Sequence, residues 1–229
     1  MSRIIDEIEY KTERLERILI DALRVHAILV ALDEFENTLS WDEDEQWDRP
    51  NEHRSLLMAY GSFFRPVRAA LLRDLHMQTA KLLIGNRDSL FTSKLVRDVF
   101  DRDKQIRRAL ADDSGHGWFY HSMDASDRER VEVEIAKYQH LILKLALNRN
   151  RRLAHEDKRS DEPNLLSLDE LKSLLELAQL SISTVRGIYF GVPNSGANEY
   201  YLERIKSDVQ LMLEELYLIY NPRPKSATP

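Results

Sequence analysis

Apolar residues recur every three to four positions along almost the whole chain, which is the spacing of one buried face of an α-helix. Ile4, Ile8, Leu15, Ile18, Leu19, Ala22, Leu23, Val25, Ile28, Leu29, Leu32 and Phe35 predict a long first helix ending near Asn37. A second helix is predicted from about Asn51 to Ile84, with Asn51 as its cap and Gly85-Asn86 as its stop. Pro66 lies inside that span, so a kink or a junction of two helices is expected there. Phe91 to Ala111 reads as a third helix, with Thr92 or Ser93 near its start. The box Ser126-Asp127-Arg128-Glu129 opens a fourth, carrying Val131, Ile135, Tyr138, Leu141, Ile142, Leu145 and Leu147. Ser167-Leu168-Asp169-Glu170 is a second such box and starts a helix reaching about Tyr189. Asn198 to Tyr220 is the last helix. No segment alternates as a strand, and no repeat or low-complexity block is present. The pattern predicts an all-α bundle of about six long helices.

Composition narrows this picture. The 229 residues suit a single helical domain over 1–229, with a connector at 40–50 and a loose tail at 221–229. Hydrophobic residues make up 43% and charged residues 31%, values of a folded rather than a disordered chain. There is no cysteine, which excludes disulfides, thiolate metal sites and cysteine nucleophiles and fits a cytoplasmic location. No apolar run approaches the roughly 18 residues of a membrane helix, and the start of the chain lacks the form of a signal peptide. The expectation is a protein with no membrane partner. Residues 1–50 hold fourteen Asp/Glu and six Lys/Arg, a balance of −8, so the other 179 residues sum to +2 within a net charge of −6. Most of this acidic arm reads as solvated helix. Trp41 and Trp47 sit in the acidic connector, a setting that argues against contact with RNA.

The chemistry concentrates between Lys144 and Arg159. Lys144, Arg149, Arg151, Arg152, Lys158 and Arg159 stand against Glu156 and Asp157, giving 6 − 2 = +4 in an acidic protein. A local basic island of this kind suits an anion. Arg149 offers a planar, permanently charged fork for phosphate. His155 offers a group that gives or takes a proton near neutrality. The two are six residues apart, about 120° around an ideal helix, so they cannot converge on one phosphate from a straight helix. Either the helix ends between them, or a second copy of the chain completes the site across a two-fold axis. Arg151 does share a face with His155 and is the competing phosphate ligand. The plain structural alternative is a basic helix end, whose cations stabilise exposed carbonyls.

The segment Arg149-Asn150-Arg151-Arg152-Leu153-Ala154-His155 resembles the signature of HEPN ribonucleases, helical domains named for higher eukaryotes and prokaryotes nucleotide-binding. That signature is an arginine, a polar residue, several variable positions and a histidine. The phrase Arg149 to Ala154-His155-Glu156-Asp157-Lys158 is similar to the motif of the abortive-infection (AbiU-type) branch. A second stretch, Phe63-Phe64-Arg65-Pro66-Val67-Arg68-Ala69-Ala70-Leu71-Leu72-Arg73-Asp74-Leu75-His76, running on to Asn86-Arg87-Asp88-Ser89-Leu90, is similar to the same branch. The likeness spans roughly residues 5 to 190.

The resemblance implies a HEPN-like bundle, a homodimer, and metal-independent RNA cleavage at a site shared by two protomers. In that chemistry the 2′-hydroxyl attacks the adjacent phosphorus. His155 moves a proton, Arg149 holds the charged transition state and Asn150 orients the group beside it. Arg151, Arg152, Lys158 and Arg159 would bind the RNA, with no cofactor and no metal. The resemblance also implies a role in phage defence or as a toxin, with an antitoxin or defence-system protein as partner. Some relatives carry a tyrosine two residues after the histidine, where nucleotide transfer silences them; here that position is Asp157, which puts such control in doubt. The rival from another class is a non-catalytic HEPN-like module binding RNA, nucleotide or a protein. His76 and His140 lie on helical patterns and read as core-edge or surface residues. His116 and His121 flank Gly117-Trp118-Phe119-Tyr120 in the 112–124 loop, a weak ligand set whose aromatics read mainly as a plug on the helices.

Overall fold

In the computed structural model the described residues are 3–39, 60–85, 90–112, 124–149, 165–190 and 197–220. Among them every regular element is helical. We number the α-helices α1 (Arg3–Leu39), α2 (Arg65–Leu83), α3 (Thr92–Asp112), α4 (Ala125–Lys137), α5 (Gln139–Asn148), α6 (Leu168–Phe190) and α7 (Ala197–Tyr220). The fold is the expected all-α, HEPN-like bundle. The connector at 40–50, the loop with His116 and His121, and the tail at 221–229 lie outside the described residues.

Three local outcomes refine the sequence reading. First, Pro66 is the second residue of α2, and a π-helical turn, Tyr60–Phe64, leads directly into it, so the helical pitch changes where the proline removes a backbone donor. The expected junction is therefore a change of helical pitch rather than a mid-helix kink. Second, the box opening α4 is shifted by two residues. Asp124 is the cap: its Oδ1 accepts from the amides of Ser126 at 2.7 Å and Asp127 at 3.0 Å, while Asp127 accepts from the Asp124 amide at 3.2 Å. An aspartate outcompetes the serine because a carboxylate accepts both bonds and complements the helix dipole. Third, the predicted fourth helix is two helices. Tyr138, at φ −97° and ψ 10°, separates α4 from α5. The box at Ser167 is formed as predicted: Glu170 Oε2 accepts from the Ser167 amide at 2.7 Å, and Ser167 Oγ accepts from the Glu170 amide at 3.1 Å.

The chain forms two compact units, residues 1–23 with 75–198 and residues 24–74 with 199–229. In the first, α6 packs against α3, α4 and α5, and α4 packs on both α3 and α5. The buried positions of α6 are Leu171, Leu174, Leu175, Leu177, Ala178, Ser181, Ile182, Val185, Ile188 and Tyr189. They span about 160° of its circumference, at about 100° per residue. Leu15, Leu19, Leu75, Leu82, Leu95, Ile106, Val131 and Leu145 complete the core. The buried hydroxyls of Thr12, Thr79 and Ser181 donate to carbonyls one turn back, so none is left without an acceptor.

Ion pairs tie this unit across long separations. Glu7 takes both Lys11, at 2.6 Å, and the guanidinium of Arg102, at 3.2 Å. Glu16 pairs with Arg186. Asp103 accepts from the Tyr189 hydroxyl at 2.7 Å and pairs with Arg107 at 2.7 Å. In the second unit Leu29, Ala31, Leu32 and Leu213 are buried. There Asp33 pairs with Arg68 at 2.7 Å, and Glu34 receives Lys206 at 2.6 Å and Gln210 at 2.8 Å.

The Tyr189–Asp103 bond joins α6 to α3 inside the core, where both residues are buried. Tyr189→Phe should therefore lower unfolding stability by about 1–2 kcal/mol, since Asp103 loses a buried donor. Urea unfolding followed by circular dichroism reads this. An unchanged midpoint would show that the bond contributes nothing.

Candidate functional site

Helix α5 delivers the motif. Leu141 and Leu145 are buried on its inner side, four residues apart, and α5 packs against α4 and α6. Its polar edge is fastened by Lys144, whose ammonium meets both oxygens of Glu170 at 2.9 and 3.0 Å. Glu170 thus serves the α6 cap and holds α5 at once. Partial burial pulls the Glu170 carboxyl upward, but the Ser167 amide, the Lys144 ammonium and the nearby His140 outweigh it, and the group lies below the ordinary glutamate range. Lys144 is therefore matched by a carboxylate. One of the six basic residues counted in the island belongs to the scaffold.

Arg149 follows α5 directly, still in helical conformation at φ −55° and ψ −49°, and its amide donates to the carbonyls of Ala146 and Leu145. Its side chain is half-buried and reaches the end of α2: Nη1 donates to the Ile84 carbonyl at 3.5 Å, a long bond. Ile84 stands just past Leu83, the last residue of α2, and its own amide closes on Ala80 at 2.8 Å. A helix end leaves its final carbonyls without partners and carries partial negative charge, so a guanidinium is stabilised there. The plain expectation of a cation at a helix end is met, on α2 rather than on the helix that carries the arginine.

On the outer side of α5, Leu143 and Leu147 are exposed, at 56% and 55%, one turn apart and just before Arg149. Asn150, Arg151, Arg152, His155, Lys158 and Arg159 lie outside the described residues, so Arg149 alone of the expected site is described. His140 is exposed on α5 and His76 is buried on α2. No group of three or more His, Cys, Asp or Glu is arranged to hold a metal among the described residues. No described helix is long and apolar enough to cross a membrane.

Two contacts escaped the sequence reading. The Lys144–Glu170 pair links residues 26 apart, and the Arg149–Ile84 bond links residues 65 apart. The capping box marked Glu170 as important, yet nothing local pointed it at Lys144.

A lowered carboxyl stabilises the fold above its ordinary pKa, and that stability is lost as pH falls through the folded value. The wild type should therefore lose stability between about pH 5 and about pH 3, around the glutamate range. Glu170→Gln should be less stable at neutral pH and show a shallower fall. Denaturant melts across that range decide it, and parallel curves would contradict the assignment.

A family model described as AbiU2, of the HEPN class, matches residues 5–217. No curated protein and no solved structure matches the chain.

Proposed function

This chain belongs to the AbiU2 family of HEPN proteins, and on that premise we propose that it is a metal-independent endoribonuclease of abortive infection or toxin type. The observation that carries the reading is the family match over residues 5–217, a span that contains Arg149, Asn150 and His155, with Arg149 directly after α5. The 2′-hydroxyl of RNA attacks the neighbouring phosphorus while its proton passes to a histidine. The bond from phosphorus to the 5′-oxygen breaks, and that oxygen takes a proton, leaving a 2′,3′-cyclic phosphate and a free 5′-hydroxyl. His155 moves these protons. Arg149 offsets the charge on the phosphorane-like transition state, and Asn150 orients the neighbouring group. Arg151, Arg152, Lys158 and Arg159 grip flanking phosphates.

Two copies of the chain share the site in this reading, which solves the 120° separation of Arg149 and His155. Leu143 and Leu147, on the side of α5 turned away from Arg149, offer an exposed apolar face that a second copy would cover. The expected setting is the cytoplasm, with an antitoxin or other defence-system protein as regulator. The second reading, a non-catalytic module binding RNA, nucleotide or protein, is favoured by one contact. A guanidinium that braces Ile84 has a structural task whether or not any bond is cut.

Total RNA incubated with the protein in EDTA separates the two. Cleavage should persist in EDTA and vanish in His155→Ala and in Arg149→Ala, with the helical circular-dichroism signal kept. Cutting that survives loss of His155, or that needs magnesium, would remove the mechanism. Because Arg149 also touches α2, its conservative variant carries more weight. Arg149→Lys should lose most activity, as lysine keeps the charge but not the two-pronged grip. Arg151→Lys should weaken RNA binding modestly. The reverse ranking would mean a site on one straight helix.

The homodimer is tested separately. Leu143→Glu with Leu147→Glu should yield a monomer by light scattering, and that monomer should not cut RNA. A wild-type monomer that cuts RNA would refute the shared site.

A further inference from the structure

Helix α3 carries a second basic feature, far along the chain from the motif. Arg97, Lys104 and Arg108 are exposed and fall within about 40° of one another around the helix axis. They are spaced by seven and four residues, about 10 Å and about 6 Å along it. Several other charges of α3 are paired. Asp98 meets Lys11 at 3.7 Å, Arg102 meets Glu7, and Asp103 binds Tyr189 and Arg107. Arg97, Lys104 and Arg108 make no ion pair among the described residues. Asp101 is the one acid on that face, and its charge also acts on Arg128 of α4.

The row of cations leads into a groove of about 530 Å³ between α3 and α4. Val96, Val131 and Ile135 are among its apolar lining residues, Lys94, Arg97 and Arg128 are its basic ones, and Glu132 is its acid. Arg128 is fixed in place. Its Nε pairs with Glu132 at 2.6 Å, and its guanidinium lies 4.8 Å from the centre of the Phe100 ring. The groove has the volume of a small-ligand site. An apolar lining beside cations suits an unstacked base attached to a phosphate chain.

We infer that the outer face of α3, with the groove it shares with α4, is a track for single-stranded RNA. Its phosphates run along Arg97, Lys104 and Arg108, and one base enters the groove. Three cations in one row, with Asp101 the one acid among them, make a local basic stripe on an acidic chain. An acidic protein surface would use the row but has no need of a base-sized apolar groove beside it. Gln139 lines the groove and opens α5, so the track passes within about 15 Å of Arg149 along that helix. The inference rests on the reading of this chain as an RNA-handling protein and supplies the surface that would feed its site.

The test uses the full chain and a short fluorescent RNA, 2′-O-methylated so that it cannot be cut, with anisotropy followed over a salt series in EDTA. The triple variant Arg97→Glu, Lys104→Glu, Arg108→Glu should bind about tenfold or more weakly, and its salt slope should fall by about 2, as loss of three phosphate contacts on a single strand requires. Lys172→Glu, an exposed change on α6, should bind as wild type. A duplex of the same length should bind more weakly than the single strand. Circular dichroism checks that the triple variant keeps its helices. Wild-type affinity in the triple variant, equal binding of duplex, or no RNA binding by the wild type would each overturn the inference, the last leaving the row to an acidic protein partner. Binding through α3 by a wild type that cuts no RNA would remove the ribonuclease reading and keep this one. Cutting by the triple variant with unchanged KM would do the opposite.

Discussion

The burial of α6 is the constraint on which the main unit depends. Ten of its positions are withdrawn from water across about 160° of its surface, and no single neighbour can cover so wide a sector. Three helices are recruited, α3, α4 and α5, and each has an apolar edge of its own to contribute. The gain per buried leucine is about 2 kcal/mol, so the stripe outweighs any one ion pair in the molecule. What the ion pairs add is register. Glu170 begins α6 and grips Lys144 on α5, while Tyr189 near the end of α6 donates to Asp103 on α3. A helix pinned near both ends to two neighbours cannot slide without breaking a partly buried polar contact. The exit of α5 at Arg149 is thereby set by α6, which carries none of the expected motif.

Charge is distributed with the same economy. The acidic arm of the sequence looked like an unmatched −8. In the structure several of its acids face inward along α1 as anchors: Glu7 for Lys11 and Arg102, and Glu16 for Arg186. Asp33 and Glu34 do the same for Arg68 and Lys206 in the other unit. Apart from Lys11, the basic partners of these carboxylates lie far away in sequence.

The helices were legible because periodicity is local. Positions three and four apart lie on one face, and the run from Ile4 to Phe35 or from Leu168 to Tyr189 states that directly. The Ser167–Glu170 box was legible for the same reason. The box at Ser126 was misplaced because Asp124, a better acceptor two residues earlier, lay in what read as loop. The break at Tyr138 left no mark, since neither glycine nor proline accompanies it and the apolar rhythm runs through. The sequence offered Arg149, Asn150 and His155 as a motif, and of these the structure describes Arg149 alone. The bond from Arg149 to Ile84 and the pair Lys144–Glu170 join residues by tertiary packing, which no window along the chain contains. The row on α3 was present in the sequence, but only the structure separates its exposed cations from Arg102 and Arg107, which are matched.

Two stretches of sequence carried the likeness to the AbiU-type branch, one running from Phe63 to Leu90 and the other from Arg149 onward. They are widely separated in the chain, and among the described residues Arg149 reaches from the second to the carbonyl of Ile84 in the first. A motif arginine anchored on a helix end is held by a dipole as well as by a hydrogen bond. In the ribonuclease reading a phosphate oxygen, with full negative charge and a second contact to the fork, would compete with that carbonyl for the guanidinium. The end of α2 would then act as a resting place that keeps the guanidinium aimed and partly desolvated before RNA arrives. Such preorganisation raises the worth of the later contact, because the ordering of a long side chain has already been met by the fold. On this account the likeness in the α2 stretch and the likeness in the motif have one physical cause: the first builds the support against which the second is aimed.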